Sequence, residues 1–216
     1  MNHVEAAWAV GRVTLQPLTK LFVPIRNYGV ERVPRTGGVV LAFNHFHWID
    51  VPIFGASTPR TVYFVAKVEA HRIPGLGQLI RAFGTISVRR GESDREAVRQ
   101  MRAAVREGEA IGLFVEGTRQ RSGRIGVVQP GAAMAALQED VPVVCAAIHG
   151  SQWWKVGNRA PVSVAWAEPI RFEGLPKGAR GYREASEEIA AKLRELHAWL
   201  IEIHASGRPR HATPPR

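Results

Sequence analysis

A single cysteine, Cys145, stands in a chain of 216 residues. No internal disulfide can form, no cysteine-based zinc cluster can be assembled, and a reducing compartment is implied. No uninterrupted apolar stretch approaches the roughly 20 residues that a spanning helix requires. No helix-turn-helix, zinc-finger or RNA-binding aromatic signature is present, which turns the chain's basic character away from nucleic acid. That character is strong: 29 Lys and Arg against 19 Asp and Glu, a net charge of +10 and a pI near 10.7. Only five of the basic residues are lysine. Arginine suits phosphate, but such a bias also follows from GC-rich codons, so the surface potential is the better guide. It draws the chain to an anionic membrane surface.

There is no internal repeat and no linker, and 45% hydrophobic content over this length supports one sizeable core. Short apolar runs at Val39–Phe43, 61–66, 85–88, 110–115, 141–148 and 161–167 read as strands. Ser93-Asp94-Arg95-Glu96 reads as a capping box, with Ala97, Met101, Ala104 and Val105 as the apolar face behind it. Ala185, Ile189, Leu193, Leu196, Leu200 and Ile203 step by three or four, which marks a long amphipathic helix. This alternation predicts an α/β fold, one domain with a central sheet flanked by helices.

Two stretches carry chemistry. The first is Asn44-His45-Phe46-His47-Trp48-Ile49-Asp50, directly after a strand run. On a continuous helix five residues turn about 500°, leaving the His45 and Asp50 side chains roughly 140° apart. They meet only if a loop bends between them, and Val51-Pro52 after Asp50 reads as a helix start that permits one. The carboxylate would then fix the imidazole's tautomer for proton abstraction. The alternative is a helix cap at Asp50 beside an ordinary loop histidine. His45-x-His47 near an aspartate also suggests metallo-hydrolase ligands, but those sites carry a further His and a different spacing. The second stretch is Phe114-Val115-Glu116-Gly117-Thr118-Arg119. Gly117 permits close backbone approach, Thr118 adds a hydroxyl donor, and Arg119 supplies a planar fork suited to phosphate.

Taken together, these residues resemble the glycerophospholipid acyltransferases, the 1-acylglycerol-3-phosphate acyltransferase family. Asn44-His45 to Asp50 matches the first of its four ordered blocks. Gly84-Thr85-Ile86-Ser87-Val88-Arg89-Arg90 matches the second, Phe114 to Arg119 the third, and Val141-Pro142-Val143-Val144 the fourth. Residues 66–69 and 73–77 look like the family's connecting segment. The resemblance implies a mixed central sheet, His45 as general base and Asp50 as its partner. It implies that Lys67, Arg90, Glu116, Gly117, Thr118 and Arg119 hold the acceptor and its phosphate. It also implies no cofactor beyond an acyl-CoA or acyl carrier protein thioester as co-substrate, with lysophosphatidic acid as acceptor and phosphatidic acid as product. Other lipid acceptors, an aminolipid or a glycolipid, and a non-catalytic lipid- or nucleic-acid-binding role remain as alternatives. Three positions depart from the pattern: His47 stands where serine is usual, Gln120 replaces a serine, and Cys145 replaces a proline.

Residues 1–30 interleave apolar side chains with Arg12, Lys20 and Arg26. Arg12 and the lack of a small-residue cleavage site argue against a signal peptide. An amphipathic, membrane-associating segment and a helix packed on the domain's own core are both compatible with the pattern. The expected organisation is this segment at 1–30, the acyltransferase domain at 31–205, and a disordered basic tail at 206–216. The expected place is the cytoplasmic face of the cell membrane, held peripherally.

Overall fold

Val39–Phe43 (β2) is apolar at every position and buried at every position, as a strand covered on both faces must be. Its neighbours are Ala110–Phe114 (β5) and Val143–His149 (β6), both parallel to it. In the computed structural model, which describes residues 3–89 and 94–216, seven strands form one sheet. Ile25–Tyr28 (β1), Val62–Lys67 (β3), Ile86–Val88 (β4) and Val162–Trp166 (β7) complete it, in the order β1-β7-β6-β2-β5-β3-β4. Only the β6–β7 pair is antiparallel, so the sheet is mixed as expected.

The eight α-helices among the described residues are His3–Val13 (α1), Leu15–Phe22 (α2), Asp50–Ser57 (α3), Val68–Arg72 (α4), Leu76–Ala82 (α5), Arg95–Arg106 (α6), Gly131–Glu139 (α7) and Ala179–Ala205 (α8). The α6–α8 group covers one face of the sheet. All six apolar positions expected on α8 are buried. The other face is aromatic. Phe43 stacks on Phe54 of α3 at 4.0 Å, and Phe64, Phe114 and Trp166 surround the pair. Gly112 makes room for this cluster: a Cβ there would come within 3.0 Å of both Phe43 and Phe64 and nearer still to Val62.

Three expectations are corrected. The sheet begins inside the segment assigned to residues 1–30, because Ile25–Tyr28 pairs with Val162–Ala165. The helices before it divide. On α1, Val4 and Trp8 are buried, Trp8 lying against Phe64 and Phe83 and donating its indole N–H to Phe83 O. On α2, no residue is buried, and Leu15, Leu18, Leu21 and Phe22 face outward. The tail at 206–216 is docked, not disordered. Arg208 donates to Pro24 O, Val162 O and Ser163 Oγ, and Arg32 donates to the carbonyls of Pro214 and Pro215. Finally, α6 is capped by Asp94, whose side chain accepts from Ala97 N at 3.0 Å; Ser93 of the expected capping box lies outside the described residues.

Candidate active site

The two chemical stretches meet because β2 and β5 are parallel neighbours in register. Phe43 pairs with Phe114, so Asn44-His45 and Val115-Glu116 leave the same carboxyl edge side by side. Crevices at that edge are where open α/β sheets bind ligands. Asn44, fully buried, ties the first loop to β6: its amide N–H donates to Ile148 O at 3.2 Å and its oxygen accepts from Ile148 N at 2.8 Å.

The bend that the spacing demands is made by Asp50 itself. Its Oδ2 accepts from Phe46 N at 2.7 Å, from His47 N at 2.8 Å and from His45 Nδ1 at 2.8 Å. Asp50 is therefore both the first residue of α3 and the orienting carboxylate; it does not cap the helix, whose N-cap Ile49 makes no side-chain cap bond, because its oxygen is turned back to the loop amides. Because a carboxylate only accepts, Nδ1 of His45 carries the proton and Nε2 keeps its lone pair. Asp50 is completely buried, whereas the His45 side chain remains 12% exposed. Its ring lies over Phe114 with centroids 4.1 Å apart. Such a ring, fixed in tautomer and open at one edge, can take a proton from a hydroxyl.

The third block lies on top of this pair. Gln120 N donates to His45 O at 2.7 Å, and Gly117, with φ of 68°, makes the left-handed turn that brings the loop back. Thr118 and Arg119 are exposed at the mouth. Glu116, expected among the acceptor's ligands, is placed otherwise. Only 4% exposed, it accepts from His45 N at 2.7 Å and from Gly126 N at 2.6 Å. Burial pushes its carboxyl up, against the pull of those two amides. It is a brace between the histidine and the basic loop, a role that sequence spacing does not reveal. Lys67 is exposed at the carboxyl end of β3, paired in register with Val88 of β4. Arg90 lies outside the described residues.

His47 has its Nδ1 turned to its own backbone, 3.4 Å from Ile49 N, and its ring beside Trp48 and Trp154. Partial burial lowers its pKa against the opposing pull of Asp50, and Arg119, His45 and Arg121 add to the lowering. Among the described residues no three His, Cys, Asp or Glu side chains converge as metal ligands would. Behind the motif, and unmarked by any sequence pattern, lie two buried histidines and a half-buried third. His149 Nδ1 meets His197 Nε2 at 3.0 Å, His204 meets Ser163 Oγ at 2.9 Å, and Phe46 packs edge-on against His197. Burial depresses each of the three imidazoles to about 4.

A parallel sheet edge carrying an oriented histidine beside a cationic glycine turn has the chemistry that group transfer to a hydroxyl needs. The chain belongs to the Acyltransferase family, whose model matches residues 24–149, and it is an O-acyltransferase. It is 25% identical, over 83% of its length and 91% of the relative's, to a 1-acyl-sn-glycerol-3-phosphate acyltransferase of Bacillus subtilis. It is 30% identical to a lyso-ornithine lipid O-acyltransferase of Pseudomonas aeruginosa, over 69% of this chain and 66% of that one. The crystal structure of the 1-acyl-sn-glycerophosphate (LPA) acyltransferase PlsC from Thermotoga maritima shares the fold. Its TM-score is 0.71 at 24% identity, covering 92% of this chain and 79% of that one.

Proposed function

We propose that the chain moves a fatty acyl group from a thioester, on coenzyme A or acyl carrier protein, to the free hydroxyl of lysophosphatidic acid, giving phosphatidic acid. The observation that carries this reading is the 2.8 Å His45–Asp50 bond directly beneath the turn that presents Thr118 and Arg119. His45 Nε2 takes the hydroxyl proton and Asp50 stabilises the imidazolium. The oxygen attacks the thioester carbonyl, the C–S bond breaks, and the imidazolium returns its proton to the departing thiolate. Arg119, with Lys67 and Arg90, holds the acceptor's phosphate. No redox change occurs, and the scheme uses no cofactor beyond the acyl thioester.

The same reading sets the enzyme on the cytoplasmic face of the cell membrane, held peripherally. No helix among the described residues is long and apolar enough to cross a bilayer. Helix α2 supports a surface attachment by its inverted polarity: Gln16 turns inward to Gly55 O at 3.1 Å, while Leu15, Leu18, Leu21 and Phe22 are 41–59% exposed.

A lyso-ornithine lipid acceptor is the second reading, favoured by the 30% identical relative that bears that name. Product identification by mass spectrometry from a panel of lysophosphatidic acid, lyso-ornithine lipid and monoacylglycerol separates them. Phosphatidic acid should form preferentially, and His45→Ala should lower its formation by ~10²–10⁴. Equal use of monoacylglycerol and lysophosphatidic acid would overturn the phosphate clamp.

A further inference from the structure

The loop joining β6 to β7, residues 150–161, carries apolar surface that the fold leaves largely open. Trp153 and Val156 are 60% and 82% exposed, Trp153 touching the fold where its ring packs edge-on against His149 at 5.0 Å, while Trp154 beside them is buried. The loop is tied rather than slack. Asn158 donates to Trp153 O at 2.8 Å and accepts from Lys155 N and Ala160 N at 3.0 and 3.1 Å. The exposed tryptophan and valine are thus held outward by a built turn.

That turn is bonded to the end of α2. Trp154 Nε1 lies 3.5 Å from Phe22 O, and Arg159 donates to Leu21 O at 3.1 Å. Leu21 and Phe22 are themselves more than half exposed, so two apolar tips sit side by side. Neither segment contains an acid: there is no Asp or Glu from Gly11 to Val30 or from Gly150 to Ala167. Lys20, Lys155 and Arg159 are exposed among the apolar side chains. An indole at headgroup level, aliphatic tips below it and cations toward phosphate is the pattern that suits an anionic bilayer.

We propose that the β6–β7 loop is a second bilayer-contacting element, which together with α2 seats the enzyme on anionic lipid at two points. The inference rests on the membrane reading of α2 given above. Two contacts fix an orientation that one helix cannot. They also reach the catalytic motif, because the Trp154 ring lies 6.0 Å from that of His47 and 5.6 Å from that of Trp48. Seating the loop therefore holds the mouth of the site at the depth of a lysolipid's headgroup.

The single native cysteine is fully buried, so Val156→Cys and Leu18→Cys each offer one accessible thiol for an environment-sensitive fluorophore. Both labels should shift to the blue with vesicles of phosphatidylglycerol and phosphatidylcholine, and far less with phosphatidylcholine alone. A shift at position 18 with none at position 156 overturns the loop's role and leaves the membrane reading standing. No shift at either position overturns both, and an acidic soluble partner would then be the better occupant. The pair Trp153→His, which keeps a ring against His149, and Val156→Ser should bind the anionic vesicles about tenfold more weakly while the protein still melts cooperatively. Undiminished binding by that variant also overturns the proposal.

Discussion

The buried carboxylate of Glu116 holds the backbone N–H of His45 at 2.7 Å, so the third block fixes the position of the histidine in the first. Its other oxygen holds Gly126 N at 2.6 Å, at the far end of the loop that contains Arg119, Arg121 and Arg124. One side chain thus sets both the proposed base and the proposed phosphate clamp.

Glu116→Ala leaves two amide donors without an acceptor, and should cost ~1–3 kcal/mol of stability. It should lower kcat more than it raises the acceptor's KM, because the side chain positions His45 and does not reach the acceptor. Glu116→Gln keeps one accepting oxygen and should fall between. Steady-state kinetics beside a melting curve test this. An effect confined to KM would return Glu116 to the acceptor's ligands.

Arg119 acts differently, since it is exposed and its side chain holds no hydrogen bond or ion pair among the described residues. Arg119→Ala should leave the melting temperature unchanged and raise the KM for lysophosphatidic acid, at ~1.5–3 kcal/mol for a lost charge-assisted contact. Lys67→Ala should do the same more weakly, lysine being a point charge without the planar fork. The comparison needs only KM and kcat at one salt concentration.

The three clustered histidines, two buried and one half-buried, predict an acid-labile fold. His149, His197 and His204 titrate near 4 in the folded protein, and near the ordinary 6.5 once exposed by unfolding. Between those values the unfolded chain binds more protons, so falling pH favours unfolding. The stability is present in full above about 6.5 and is lost progressively toward about 4. Thermal melts across that window should show the decline, and His204→Gln, with one titrating group fewer, should show a shallower one.

Removing the N-terminal segment tests two of its jobs at once. Deleting residues 3–28 strips Trp8 from Phe64 and Phe83 and removes β1 from the sheet edge, so the product should aggregate. The pair Leu18→Ser and Phe22→Ser touches only exposed side chains, and should release the protein from vesicles while it melts as before. A truncated protein that folds and stays active on a short-chain acceptor would show that β1 is dispensable.

The central strands, α6 and α8 were legible because burial imposes a period or an unbroken apolar run that any reader of the sequence can see. The edge strand Ile25–Tyr28 was not, since Arg26 and Asn27 interrupt any such run and pairing with β7 supplies what propensity does not. The Pro- and Arg-rich tail has the composition of a disordered segment, yet the guanidinium of Arg32 captures its carbonyls from more than 180 residues away in sequence.

At the site, the sequence by itself determined the cast: a histidine, an aspartate able to orient it, and a glycine turn ending in arginine. Only the tertiary structure decided that these belong to one place. Parallel pairing of β2 with β5 brings residues 71 apart in sequence within hydrogen-bonding reach, and there Glu116 became a brace instead of a ligand. Which groups share a hydrogen bond depends on strand order and register. Those are set by how the whole sheet buries its two faces, which no local stretch of residues encodes.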